Sequence, residues 1–132
     1  MENKKLTGKL ATGLGKAAGF MEVEWAHLAF SEILGESPFP GTVNVILTSD
    51  KDLAVWNCVK SSKGQLIEPP DPEWCNSFCY KAKISGKITA AVILPDVNDY
   101  PVDQVELIAA LNVRNTLFLK DGDQIEIEIL SV

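Results

Sequence analysis

Between a helix-like run that closes on Gly35 and a strand-like run reading Thr-Val-Asn-Val lies Pro38-Phe39-Pro40-Gly41. Two prolines fix the backbone and the glycine lets it turn, which is more constraint than the start of a strand requires. Thr42 and Asn44 follow, two residues apart, so on an extended chain their side chains point to one face. A hydroxyl and an amide oxygen are hard, neutral ligands. They suit Mg2+ when phosphates bring the negative charge and water fills the remaining positions. A turn followed by a β-branched strand accounts for the same residues without any ligand.

Two further clusters have chemistry in them. In Gly13-Leu14-Gly15-Lys16-Ala17-Ala18-Gly19-Phe20 the glycines let backbone N–H groups approach and cradle an anion. The spacing is neither a dinucleotide fingerprint nor a P-loop, which would end in Gly-Lys-Ser/Thr. Lys4, Lys5, Lys9 and Lys16 share this first strand-and-loop segment, where they either hold a small anion or simply solubilise it. In "VELIAALNVRNTLFLKDGD", Glu106 interrupts an apolar strand, costly for a carboxylate unless it meets a pocket, solvent or a donor. Arg114 is the sole arginine, a forked donor suited to a phosphate or a base edge. The plain alternative is a surface arginine with Glu106 on a wet strand face. Asp121 and Asp123 flank Gly122, first of all a turn signal rather than a metal site. Cys58, Cys75 and Cys79 are odd in number and lack the partners of a zinc site, so they read as reduced, structural thiols. The lone His27 falls in a helix-like run as a surface or packing residue.

The elements that must position these residues follow from periodicity. Residues 6–11 read as a strand. From Glu24 the period becomes helical, with Trp25, Leu28, Ala29, Phe30, Ile33 and Leu34 as the apolar face and Gly35 as the stop. Residues 42–47 alternate as a strand, and residues 52–61 form a short helix with Leu53, Trp56 and Val59 on one face. The prolines of residues 68–74 make a rigid loop unable to enter a central strand. Residues 78–84 and 87–94 form a hairpin about Ser85-Gly86. Residues 94–101 are a loop, 105–110 a strand and 111–117 a helical turn or two. In the last strand Ile125, Ile127 and Ile129 face one side, Glu126 and Glu128 the other. About six strands with one main helix, frequent turns and no βαβ rhythm predict a mainly β chain closed into a small barrel. Closure removes the exposed edges such apolar strands otherwise present.

Bulk composition agrees with one domain spanning residues 1–132, with 46% hydrophobic residues for a core. No apolar run reaches the roughly 18 residues of a membrane span. The N-terminal lysines resemble a signal peptide, but Gly and Lys interrupt its apolar part, so mature cytoplasmic protein is expected. A net charge of −6 and a pI near 4.7 argue against a nucleic-acid partner.

The order of these motifs resembles the archaeal-type CTP-dependent riboflavin kinases, over about residues 8–129. The likeness lies chiefly in "GESPFPGTVNV" and "VELIAALNVRNTLFLKDGD", with Tyr100-Pro101 between them. The resemblance implies a six-stranded cradle-loop (RIFT-type) barrel with one main helix and short helical turns. It implies transfer of the γ-phosphate of CTP to the 5′-hydroxyl of riboflavin, giving FMN and CDP. In that family the matching positions assign Mg2+ to Thr42 and Asn44. They assign the nucleotide to Gly13, Leu14, Gly15, Lys16, Ala17, Ala18, Leu111, Asn112, Val113 and Arg114, and the flavin to Glu106. The chain departs from the pattern at Ala17 and Ala18. Asn98-Asp99 stands where the family has its flavin-contacting threonine, so Asn98 and Asp99 join the flavin side. "EPPDPEWCNSFC" has little counterpart. These departures keep open a second reading, an altered homologue that senses a nucleotide or flavin or phosphorylates another small alcohol. No catalytic side chain is assigned beyond metal and phosphate positioning, and a monomer or small homo-oligomer is expected.

Overall fold

The computed structural model describes residues 3–11, 24–39, 42–62, 64–70, 73 and 75–130. The glycine-rich residues 13–18, with Pro40 and Gly41, lie outside the described residues. In chain order the elements are β1 (Lys4–Ala11), α1 (Glu24–Leu34), β2 (Val43–Ile46), α2 (Asp50–Ser61), β3 (Gln65–Ile67), β4 (Ser77–Ile84), β5 (Ile88–Pro95), β6 (Gln104–Ala109), α3 (Val113–Leu117) and β7 (Gln124–Ile129). The strands run in the order β3-β4-β5-β6-β2-β1-β7, and β4 pairs again with β7. That second pairing closes six antiparallel strands into the expected barrel, with Ala82 opposite Ile129 and Ile84 opposite Ile127.

Alternation decides which side chains enter the barrel. Leu6, Val45, Tyr80, Val92, Val105, Leu107, Ile125, Ile127 and Ile129 fill the interior, joined by Trp56 and Val59 from α2. A second apolar cluster lies on the outer wall, where Phe30 and Leu34 of α1 cover Ala91, Ile93 and Ile108. β5 and β6 are therefore covered on both faces, so every residue of β6 is buried. Ser49 caps α2 by accepting the Asp52 N–H at 3.1 Å. The β4–β5 turn places Ser85 and Gly86 at φ 52° and 68°, the left-handed pair that suits the twist of a hairpin.

Two features differ from expectation. On α1 the buried stripe is Ala26, Phe30 and Leu34, four residues apart, while Leu28 is 61% exposed. Spacing alone left the helix free to rotate about its axis, and the outer wall of β5 and β6 selects the face. β3 falls within a stretch without a strand signal; three residues are too few to show alternation. It forms because β4 outruns β7: the edge of β4 that pairs β7 at Ala82 to Ile84 is left bare at Ser77 to Cys79, and β3 covers it. Among the described residues no helix is long and apolar enough to cross a membrane.

Candidate functional site

β1 ends, β2 begins and β6 ends at the same end of the barrel, since the three are antiparallel neighbours. A cleft of about 190 Å³ opens there, lined by Leu10, Phe39, Thr42, Val43, Ala109 and the run Leu111, Asn112, Val113 and Arg114. Asn44 sits between Ala11 on β1 and Glu106 on β6, each its direct cross-strand partner. Ala11 is the last residue of β1, two before Gly13 in the sequence. Arg114 reaches it too, donating from Nη2 to its carbonyl at 3.5 Å and to Asp121 Oδ1 at 2.5 Å. Thus Thr42, the 111–114 run and Ala11 at the end of β1, far apart in sequence, meet at one end of the barrel.

Behind the cleft lies a polar cluster on the outer wall. Glu106 has no exposed surface. The Thr42 hydroxyl donates to its Oε2 at 3.0 Å, and the Tyr100 hydroxyl donates to its Oε1 at 2.8 Å. Gln104 Nε2 donates to Asn44 Oδ1 at 3.1 Å and to the Tyr100 oxygen at 3.3 Å. Glu106 is therefore not on a wet strand face; its buried carboxylate is compensated by two hydroxyl donors. Burial, reinforced by the hydrogen bond to Glu106 and its charge, pushes the Tyr100 phenol far above its ordinary value, so it remains a donor.

The directions of these bonds bear on a cation. Thr42 has one proton and directs it to Glu106, which leaves both oxygen lone pairs for another partner. Asn44 Oδ1 accepts from Gln104 and keeps one lone pair. Two hard neutral oxygens with unused lone pairs fit a divalent ion of the Mg2+ kind. Among the described residues no three His, Cys, Asp or Glu side chains gather as a metal site.

The other candidate residues separate. Lys4 and Lys5 lie at the start of β1, roughly 20 Å of strand from its cleft end, and do not converge on it. Asn98 and Asp99 are exposed on the turn before Tyr100. Neither lines the second cleft, of about 240 Å³, whose walls include Lys60, Phe78, Tyr80, Val97 and Tyr100. Asp121 and Asp123 serve the turn: Asp123 Oδ2 accepts the Lys120 N–H at 2.9 Å, and Gly122 at φ 90° donates to the Leu10 carbonyl. Cys58 and Cys75 are exposed and Cys79 buried, all three as free thiols. His27 is half-buried near Ser37. Tyr100 and Gln104 escaped the motif reading as site residues. Gln104 carries a legible signal, a polar residue two before Glu106 and hence on its face; Tyr100 stands in a loop, where no periodicity points inward.

Fold and site together define a small antiparallel β-barrel with a cleft of mixed polar and apolar lining at one end. The family model CTP-dep_RFKase, described as a domain of unknown function, DUF120, matches residues 10–129, and the chain belongs to that family. It is 34% identical over 130 residues to a riboflavin kinase of Pyrobaculum aerophilum, covering 96% of this chain and 60% of the relative. It is 36% identical over 124 residues to a riboflavin kinase of Methanosarcina acetivorans, covering 92% of this chain and 52% of the relative. A third, from Methanocella arvoryzae, is 33% identical over 126 residues, covering 94% of this chain and 56% of the relative. The chain thus spans a little over half the length of the curated relatives it matches.

Proposed function

We propose that this chain is a CTP-dependent riboflavin kinase, making FMN and CDP in the cytoplasm with Mg2+ as its metal and no nucleic-acid or membrane partner. The observation that carries this reading is the convergence of Thr42, the 111–114 run and the end of β1 at Ala11 on one end of the barrel, in a chain whose relatives are named riboflavin kinases. In the reaction, the 5′-hydroxyl oxygen of riboflavin attacks the γ-phosphorus, the bond to the β-phosphate oxygen breaks, CDP leaves, and the hydroxyl proton is released. Such transfer asks of the protein mainly alignment and charge neutralisation. Thr42 and Asn44 would hold the cation, which would supply positive charge to offset that of the phosphates. Residues Gly13 to Ala18 and Leu111 to Arg114 hold the nucleotide, and Arg114 has only to exchange Asp121 for a phosphate. Glu106 is assigned to the flavin side, with Asn98 and Asp99 on the neighbouring turn. Since both its oxygens are engaged and buried, a flavin hydroxyl reaches Glu106 only when Thr42 or Tyr100 gives way.

Incubation with riboflavin, Mg2+ and either CTP or ATP tests the proposal. FMN is expected with CTP, and a Thr42→Val/Asn44→Leu double variant that keeps its fold by circular dichroism is expected to make none. Normal turnover by that variant sinks the metal assignment, and no FMN from the native chain with either donor sinks the activity.

A further inference from the structure

Asn44 is buried, and an amide presents two ends of nearly equal size, of which only the oxygen ligates a hard cation. Something must choose the end. Gln104 is 3% exposed, on the same face of β6 as Glu106, and both protons of its Nε2 are committed: one to Asn44 Oδ1, the other to the Tyr100 oxygen. Tyr100 cannot reverse the second bond, because its own proton goes to Glu106. A carboxylate with two acceptor oxygens therefore polarises the whole chain of bonds. Gln104 is left with its nitrogen toward β2, and Asn44 must answer with its oxygen, since two opposed N–H groups repel. Thr42 is oriented by the same carboxylate from the other side.

We infer that Gln104 is a positioning residue: it holds the oxygen end of Asn44 for the divalent cation, and Tyr100, bonded to Glu106, holds Gln104. The inference rests on Thr42 and Asn44 being the cation's ligands and adds the residues that set their polarity. Outer partners of metal ligands commonly matter at about 10-fold to 100-fold in affinity.

The test measures Mn2+ bound to the protein by equilibrium dialysis at fixed CDP, independent of turnover. Gln104→Met, close in size but without a donor, is expected to weaken Mn2+ binding by about 10-fold or more. The same change placed on Asn44→Asp is expected to cost less than about threefold, because a carboxylate has no wrong end. A merely structural Gln104 would lower both backgrounds equally, and that result overturns the inference, as does Gln104→Met binding within about twofold of the native chain. Should Gln104→Met fail to fold by circular dichroism, Gln104→Asn keeps the amide but falls a methylene short of Asn44, and the same two outcomes decide. If Thr42→Val/Asn44→Leu binds Mn2+ like the native chain, the cation reading itself falls, and this inference with it. If that variant loses Mn2+ while Gln104→Met does not, only the positioning role falls.

Discussion

Replacing Tyr100 by Phe removes a single oxygen and leaves the ring. That oxygen donates to Glu106 Oε1 at 2.8 Å and accepts from Gln104 Nε2 at 3.3 Å. A hydrogen bond to a charged group contributes about 1.5–3 kcal/mol, and Glu106 is itself wholly buried. The longer bond to Gln104 adds roughly 0.5 kcal/mol, and the relief of desolvating one phenol gives part back. The net expectation is a loss of about 2–3 kcal/mol. Tyr80→Phe is the internal control: its hydroxyl donates to a neutral acceptor, the Ser62 carbonyl at 3.0 Å, so its loss should cost only about 1 kcal/mol. Urea unfolding of both variants, with the denaturant slope checked against the native chain, reads the difference directly. If Tyr100→Phe costs no more than Tyr80→Phe, Glu106 is not held by a charge-assisted bond, and the directional cluster described here is wrong.

Two other outcomes follow from close packing and burial. At Gly8 an added methyl would meet Val45 Cγ1 at 2.6 Å and the Ile46 carbonyl oxygen at 2.7 Å, so Gly8→Ala should lower unfolding free energy by about 1–3 kcal/mol, with the β1–β2 amides losing exchange protection first. Burial raises the Cys79 thiol from its ordinary value near 9.0 to about 12, an effect that nearby Lys81 offsets in part. The unfolded chain then releases this proton above about pH 9 while the folded chain keeps it, so stability should fall by about 1.4 kcal/mol per pH unit as pH rises from 9.0 toward 12. Burial of Tyr80 acts with the same sign. Replacing Cys79 by Ser, which does not titrate there, should flatten that slope in alkaline urea titrations; an unchanged slope would assign it elsewhere. In the native state Ellman's reagent should find the exposed Cys58 and Cys75 quickly and Cys79 only on unfolding.

Where one turn or one period carries the information, the chain states its structure locally. The Ser85-Gly86 hairpin, the isoleucines of β7, Gly35 at the end of α1 and the Asp121-Gly122-Asp123 turn are all legible, because each depends on φ preference or on alternation within a few residues. The pairing of Thr42 with Asn44 on one face is legible for the same reason. What no local pattern holds is where those faces meet. Thr42 finds Glu106 across 64 residues of chain, and Gln104 finds Asn44 across 60. Closure of β4 on β7 gives β4 a bare edge for β3, and the outer wall so formed chooses which side of α1 is buried. Sequence thus determined the six barrel strands, the turns and the residue types that could bind a cation or a phosphate, but not β3. Only the closed barrel decided that Glu106 is buried and that Tyr100 and Gln104 are its neighbours. The direction of every proton in that cluster was likewise set there, since a hydrogen-bond circuit exists only once its members share a space from which water is excluded.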